Sequence, residues 1–315
     1  MQSEQTSLHV VMYHYVRDLP QTRFPRLKAM LTRDFREQVK SLAGQYDMCG
    51  LDAALDYLAG RYQPKRPLCL LTFDDGVKEH CREVTAELAS HRIPGLFFLI
   101  TDCVENRRVA PVHMNHFLTA SLDFNEYRAG FLARIGSAAA GLETVQAPVA
   151  KRIYVWDDEA AAVFKYFFNF LLEPAVRDAA IASMFEEHVG PERQFADSLY
   201  VSWDEARQMQ KEGMIMGGHT NRHRPCAALP EPEQRGDLGL CRQYLEKNLL
   251  PQPLWPFSYP YGKADSYTPQ TTVELRRLGF DCSFSTEPGS NRPGTDRYSI
   301  KRVDCKVATA ARMAA

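Results

Sequence analysis

The stretch LLTFDDGVKEH, residues 70–80, ends an apolar run on two adjacent carboxylates. Leu68, Leu70, Leu71 and Phe73 read as a buried strand, and Gly76 breaks it. Charge at the end of a buried strand sits where desolvation is costly. Asp74 and Asp75 are therefore the first candidate functional residues, and the question is whether they share one task.

The same strand-then-helix rhythm runs outward on both sides. LHVVMYHYV (8–16) reads as a first strand, and residues 34–43 and 51–58 have helical spacing. Residues 78–91 follow the Asp pair as a helix, then GLFFLI (95–100) as a strand. After residue 200, Ser202 with Glu205 forms a capping box for a helix. MIMGGH (214–219), WPFSYP (255–260), DCSFST (281–286) and RYSIKRVD (297–304) read as strands, separated by helices over 232–249 and 271–278. This alternation predicts a parallel sheet or barrel wrapped by helices, with active residues at the C-terminal ends of the strands in either case.

Residues 105–198 break the rhythm, being rich in Ala, Phe and Glu, with AAAVFKYFFNFLLE as their most apolar tract. They read as a mainly helical insertion packed over one end of a single domain spanning 1–315, since no Pro/Gly/Ser linker brackets them. A lid, a pocket wall and a surface for a homo-oligomer are its open roles.

The bulk properties narrow the partners. Net charge is −1, with 45% hydrophobic and 24% charged residues, so neither nucleic acid nor an anionic membrane is indicated. No run approaches a transmembrane span. The N-terminal segment lacks the pattern of a secretory signal, so a cytoplasmic location is expected. The eight cysteines form no CxxC pair and read as buried reduced thiols.

Three stretches share the strand-end address: TFDDG (72–76), GGHTNRH (217–223) and FSYPYG (257–262). One carboxylate with His219 and His223 suffices to hold a catalytic divalent ion, most simply Zn²⁺, with Co²⁺, Ni²⁺ and Mn²⁺ as alternatives. The second carboxylate then remains to accept a proton. Each motif alone also fits an ordinary turn; their combination favours a metal site.

With these motifs the chain resembles the polysaccharide deacetylases, the NodB-homology group of carbohydrate esterases, over about residues 8–104 and 199–305. Thr72–Gly76 matches the first motif, His219-Thr220-x-x-His223 the second, and Pro260-Tyr261-Gly262 the end of the third. The resemblance implies a distorted (β/α) barrel and a metal-dependent amide hydrolase acting on an N-acetylated amino sugar. It implies Asp74 as general base, Asp75, His219 and His223 as metal ligands, and the Tyr261 N–H as oxyanion donor. Tyr259, Pro260 and Tyr261 would line the substrate.

Two departures matter. The C-terminal Leu-x-His motif that supplies the general acid is missing, since no histidine follows His223. His14, at the end of the first strand, is the replacement candidate, as in circularly permuted relatives. The third motif has Ser258 and Tyr259 where many members carry an arginine. Arg302 is the candidate guanidinium, with Asp304 to hold it or the acid histidine. His80, His113, His116, Trp203 and Trp255 read as structural. Deformylation, cyclic imide or ureide hydrolysis, a non-haem iron triad and an inactive carbohydrate-binding relative stay as alternatives.

Overall fold

The computed structural model describes residues 6–308, so the first five residues and the tail from 309 lie outside it. Two compact units emerge. One comprises the described parts of Met1–Asp18 and Asp197–Ala315 together with Ala29–Asn106; the other comprises Leu19–Lys28 with Arg107–Ala196.

The first unit is a distorted (β/α) barrel. Its strands are β1 (Leu8–Tyr13), β2 (Asp47–Met48), β3 (Leu68–Phe73), β4 (Gly95–Leu99), β5 (Ile215–Gly218), β6 (Pro256–Ser258), β7 (Cys282–Phe284) and β8 (Val303–Asp304). Every ladder is parallel, in the order β7-β6-β5-β4-β3-β1-β8, with β2 paired to the start of β3. β1 and β3 are buried along their whole length, as their largely apolar runs, interrupted only by His9 and Thr72, require when both faces are covered.

The expected final strand over 297–304 is regular only at β8. Before it, Ile300 N–H donates to Ser283 O (3.1 Å) and Arg302 N–H to Glu287 O (3.1 Å). Val303 and Asp304 then pair with Val11 and Met12 of β1. One irregular segment thus touches both ends of the sheet and carries Arg302 inward.

Register sets the site. Tyr13 pairs with Phe73, so His14 and Asp74 leave their strands side by side, and Asp74 N–H donates to Tyr13 O (2.9 Å). The helix Trp203–Lys211 starts at Ser202 with the capping box to Glu205 formed. The expected helix over 78–91 opens instead with a π-helical turn, His80–Val84, before the α-helix Thr85–Ser90. The eight cysteines are free, and all but the half-buried Cys81 are buried.

The second unit is helical, with Pro111–Ser121, Phe124–Ile135 and Pro174–His188 as its longer helices. Leu19–Lys28 belongs to it for physical reasons: Phe24 packs edge-on against Phe117, and Arg26 donates to Ala120 O and Leu122 O. His113 and His116 lie in Pro111–Ser121 with rings 5.8 Å apart, and neither joins a metal-type cluster among the described residues. No described helix is long and apolar enough to cross a membrane.

Candidate active site

The ends of β3, β5 and β6 converge. Asp75 Oδ1 lies 3.5 Å from Nε2 of both His219 and His223, and the three donor atoms all fall within 4.8 Å of one another. This is the one such cluster among the described residues. The backbone around it is bent in an unusual way: Asp75, Thr220, His223 and Tyr261 all have positive φ (78°, 60°, 55° and 63°). Such conformations are costly outside glycine, most of all for a β-branched threonine, and persist where the surroundings impose them.

Those surroundings are visible. Thr220 Oγ1 accepts the His223 N–H (2.8 Å), closing the turn between the two histidines. His219 Nδ1 meets Ser258 O at 2.7 Å; a carbonyl only accepts, so Nδ1 carries the proton and Nε2 presents its lone pair beside Asp75. Burial pushes the His219 imidazole below its usual range, against the pull of Asp74 and Asp75, and so favours the neutral form that ligates. Two imidazole nitrogens and one carboxylate oxygen in this arrangement fit a divalent ion of the zinc type.

Asp74, one residue away, has different partners. Arg302 grips it with two bonds, Nη1 to Oδ1 and Nη2 to Oδ2, each 2.8 Å. Ser258 Oγ accepts from Arg302 Nη2 (2.8 Å) and donates to Asp74 Oδ2 (3.3 Å). Arg302 is itself fixed by Nε donating to Ser285 O (2.8 Å). Burial pushes the Asp74 carboxyl up, but the guanidinium overcomes it and holds the group down at about 2. Asp74 is thus a buried carboxylate kept ionised by its partner.

His14 stands on the other side, Nε2 3.9 Å from Asp74 Oδ2, with its side chain 43% exposed. Its backbone carbonyl accepts from Nε2 of the fully buried His80, at 2.8 Å. Tyr261 turns its ring toward His223 (5.4 Å between centroids), and Thr286 clamps the turn by donating Oγ1 to Tyr261 O (2.6 Å) and N–H to Gly262 O (2.8 Å).

Two expected site residues stand elsewhere. Tyr259 is buried, and its hydroxyl bonds to Tyr298 O (3.1 Å) and Ser283 Oγ (2.8 Å), so its ring stacks on Tyr267 and cannot meet a substrate. The alternation along β6 explains this, since Ser258 and Tyr259 point opposite ways. Asp304 holds neither Arg302 nor His14: its Oδ1 accepts the Lys306 N–H (2.8 Å) in its own turn. Asp237 was not a candidate, yet its carboxylate accepts N–H bonds from Asn221 (2.8 Å) and Arg222 (3.2 Å), between the two histidines. Nothing local marks it, because it lies in a helix 14 residues past His223.

The comparisons bear on the fold and on part of these motifs. The family model "Polysaccharide deacetylase" matches residues 153–282, which takes in the second and third motifs but not Thr72–Gly76. No curated protein sequence matches significantly. Among solved structures, IcaB from Ammonifex degensii is similar at 22% identity and TM-score 0.60, over 98% of this chain and 94% of that one. The Streptococcus pyogenes deacetylase PplD, in complex with acetate, is similar at 13% identity and TM-score 0.59, over 95% and 92%. The BpsB deacetylase domain from Bordetella bronchiseptica follows at 15% identity and TM-score 0.57, over 95% of each chain. Fold and motifs together define a hydrolase of amide bonds in carbohydrates. Residues 153–282 thus carry a match to the polysaccharide deacetylase family, and the fold is that of the deacetylase structures compared.

Proposed function

We propose that the protein removes the N-acetyl group of an amino sugar by divalent-metal-assisted hydrolysis. The observation that carries this reading is the pairing of Asp74, held ionised by Arg302, with the donor set of Asp75, His219 and His223 one residue away. Asp75, His219 and His223 would hold the ion, zinc first among the candidates. When bound, it supplies a Lewis acid that polarises the amide carbonyl and makes water acidic enough to attack.

The chain's own residues do the rest. Asp74 accepts the proton as the water oxygen forms its bond to the carbonyl carbon, and Arg302 keeps that carboxylate oriented and ready. The Tyr261 N–H donates to the developing oxyanion. His14, half-exposed beside Asp74, donates a proton to the nitrogen as the C–N bond breaks, so that acetate and the free amino sugar leave. The acetate bound to the structurally similar PplD is the acid product of such a reaction. Pro260 and Tyr261 would form the wall against which the sugar rests.

The test is amine release from N-acetylated free, nucleotide-linked, lipid-linked and polymeric sugars, each assayed with zinc, cobalt, nickel and manganese. N-formylated counterparts in the same screen distinguish deformylation. Asp74→Asn should cut turnover by about 10²- to 10⁴-fold. Full activity in that variant would remove Asp74 as the base, and silence on every substrate would remove the reading.

A further inference from the structure

Between His219 and His223 the chain makes a turn that it would not adopt unaided. Thr220 and His223 both have positive φ, and neither is glycine. Two consecutive N–H groups at the tip, those of Asn221 and Arg222, point at one carboxylate: Asp237 Oδ2 takes the first (2.8 Å) and Oδ1 the second (3.2 Å). Asp237 comes from the helix Glu231–Asn248, which packs on the barrel through the buried Leu238, Cys241 and Leu245. A rigid element thus reaches back to the tip of the loop.

The other side of the loop is tied to β4's end. Thr101 Oγ1 donates to Asn221 Oδ1 (3.0 Å), and Asp102 N–H donates to Asn221 O (2.9 Å). Asn221 is consequently gripped at N–H, carbonyl and side chain. Of these ties only the Asp237 pair is charge-assisted, and it uses both carboxylate oxygens.

We infer that Asp237 is a positioning residue for the metal site: by clamping the Asn221–Arg222 backbone it fixes the spacing of the His219 and His223 imidazoles, and so the affinity for the divalent ion. It touches neither ion nor substrate. This rests on the reading of Asp75, His219 and His223 as ligands, but not on deacetylation. Partners that orient ligands typically govern affinity by about 10- to 100-fold.

The experiment is zinc titration of metal-stripped full-length protein against a chromophoric chelator, with Co²⁺ absorption as a second readout of ligand geometry. Asp237→Ala should bind zinc about 10- to 100-fold more weakly and alter the Co²⁺ bands. Asp237→Asn keeps the size but offers only one acceptor oxygen to two N–H groups, so it should also lose affinity, and it serves if the alanine variant folds poorly. Glu233→Ala, on the same helix and paired with Arg224, is the control that should bind as wild type does. Folded Asp237 variants with unchanged affinity and bands would overturn the inference, as would a wild type that binds no divalent ion. Wild-type binding that weakens in the variants, without amine release from any sugar, would support it while removing the proposed reaction.

Discussion

Arg302 and Asp74, 228 residues apart in the chain, meet fork to fork, with both guanidinium–carboxylate distances at 2.8 Å and the arginine side chain wholly buried. The guanidinium beside Asp74 is thus supplied from next to β8, and Ser258 links the third-motif strand into the same cluster.

Removing the guanidinium strands a buried carboxylate. Arg302→Met should lower the unfolding free energy by about 3–5 kcal/mol, because the remaining charge has lost its partner. Asp74→Asn/Arg302→Met should recover part of this, as both charges are then gone. The pH dependence follows the same cause. With Arg302 gone, burial, which raises Asp74, is opposed only by His219 and His14, so the acid limb of kcat/KM should move to higher pH. Urea unfolding and a pH–rate profile check the two parts; an unmoved acid limb would show that Asp74 does not govern it.

Gly217 tests how tightly β5 is held. A Cβ there would lie 2.5 Å from Pro256 O and 2.7 Å from Phe98 Cδ1. The first is backbone of the neighbouring strand and cannot swing away. Gly217→Ala should cost about 1–3 kcal/mol by overpacking and should disturb His219 two residues on. Gly236→Ala, in the helix Glu231–Asn248 with nothing within 4 Å, should instead gain up to about 1 kcal/mol from helix propensity. Paired denaturant curves decide it, and equal effects would mean that steric contact is not the cause.

The difference between those glycines mirrors what a sequence can disclose. Asp75, His219 and His223 were legible because each sits in a short motif directly after an apolar strand, and parallel strands deliver their C-terminal ends to one place. Arg302 was legible as the candidate for the guanidinium that the third motif lacks, but its partner was not, since the pairing with Asp74 depends on the irregular path that runs from β7 toward β8. Tyr259 misled because the motif reads as one surface, whereas strand alternation sends its ring into the core. Asp304 misled because closeness in sequence to Arg302 is not closeness of side chains. Asp237 and Leu19–Lys28 left no local mark: a polar residue in a long helix and a short loop after β1 acquire their roles only through contacts made across the fold.

His14 as the proton donor makes a prediction that depends on the leaving group. A general acid matters most when the departing nitrogen is basic. His14→Ala should reduce turnover of an N-acetyl amino sugar by about 10²- to 10⁴-fold. It should reduce hydrolysis of an acetanilide with an electron-poor ring far less, because that nitrogen leaves with little help. Zinc affinity should be unchanged, as His14 lies outside the Asp75–His219–His223 cluster. An equal loss on both substrates would assign His14 to binding or structure instead.

His80 supplies a stability signature independent of any substrate. It is wholly buried against the stacked rings of Phe73 and Phe97, and burial pushes its imidazole down to about 4, although its bond to the His14 carbonyl opposes the shift. Unfolded, the same ring takes up its proton near the ordinary value of about 6.5. Between these limits the unfolded chain binds the proton and the folded one excludes it. This contribution to stability is therefore full above about 6.5 and falls as the pH drops toward 4, by at most about 1.4 kcal/mol per pH unit. His80→Gln can still donate to the His14 carbonyl but has no proton to gain. The variant should be less stable than wild type at pH 7 through imperfect packing, and the gap should narrow steadily at pH 6 and 5. Urea unfolding at the three pH values measures this; parallel losses in both proteins would mean that the fold does not shift the His80 imidazole.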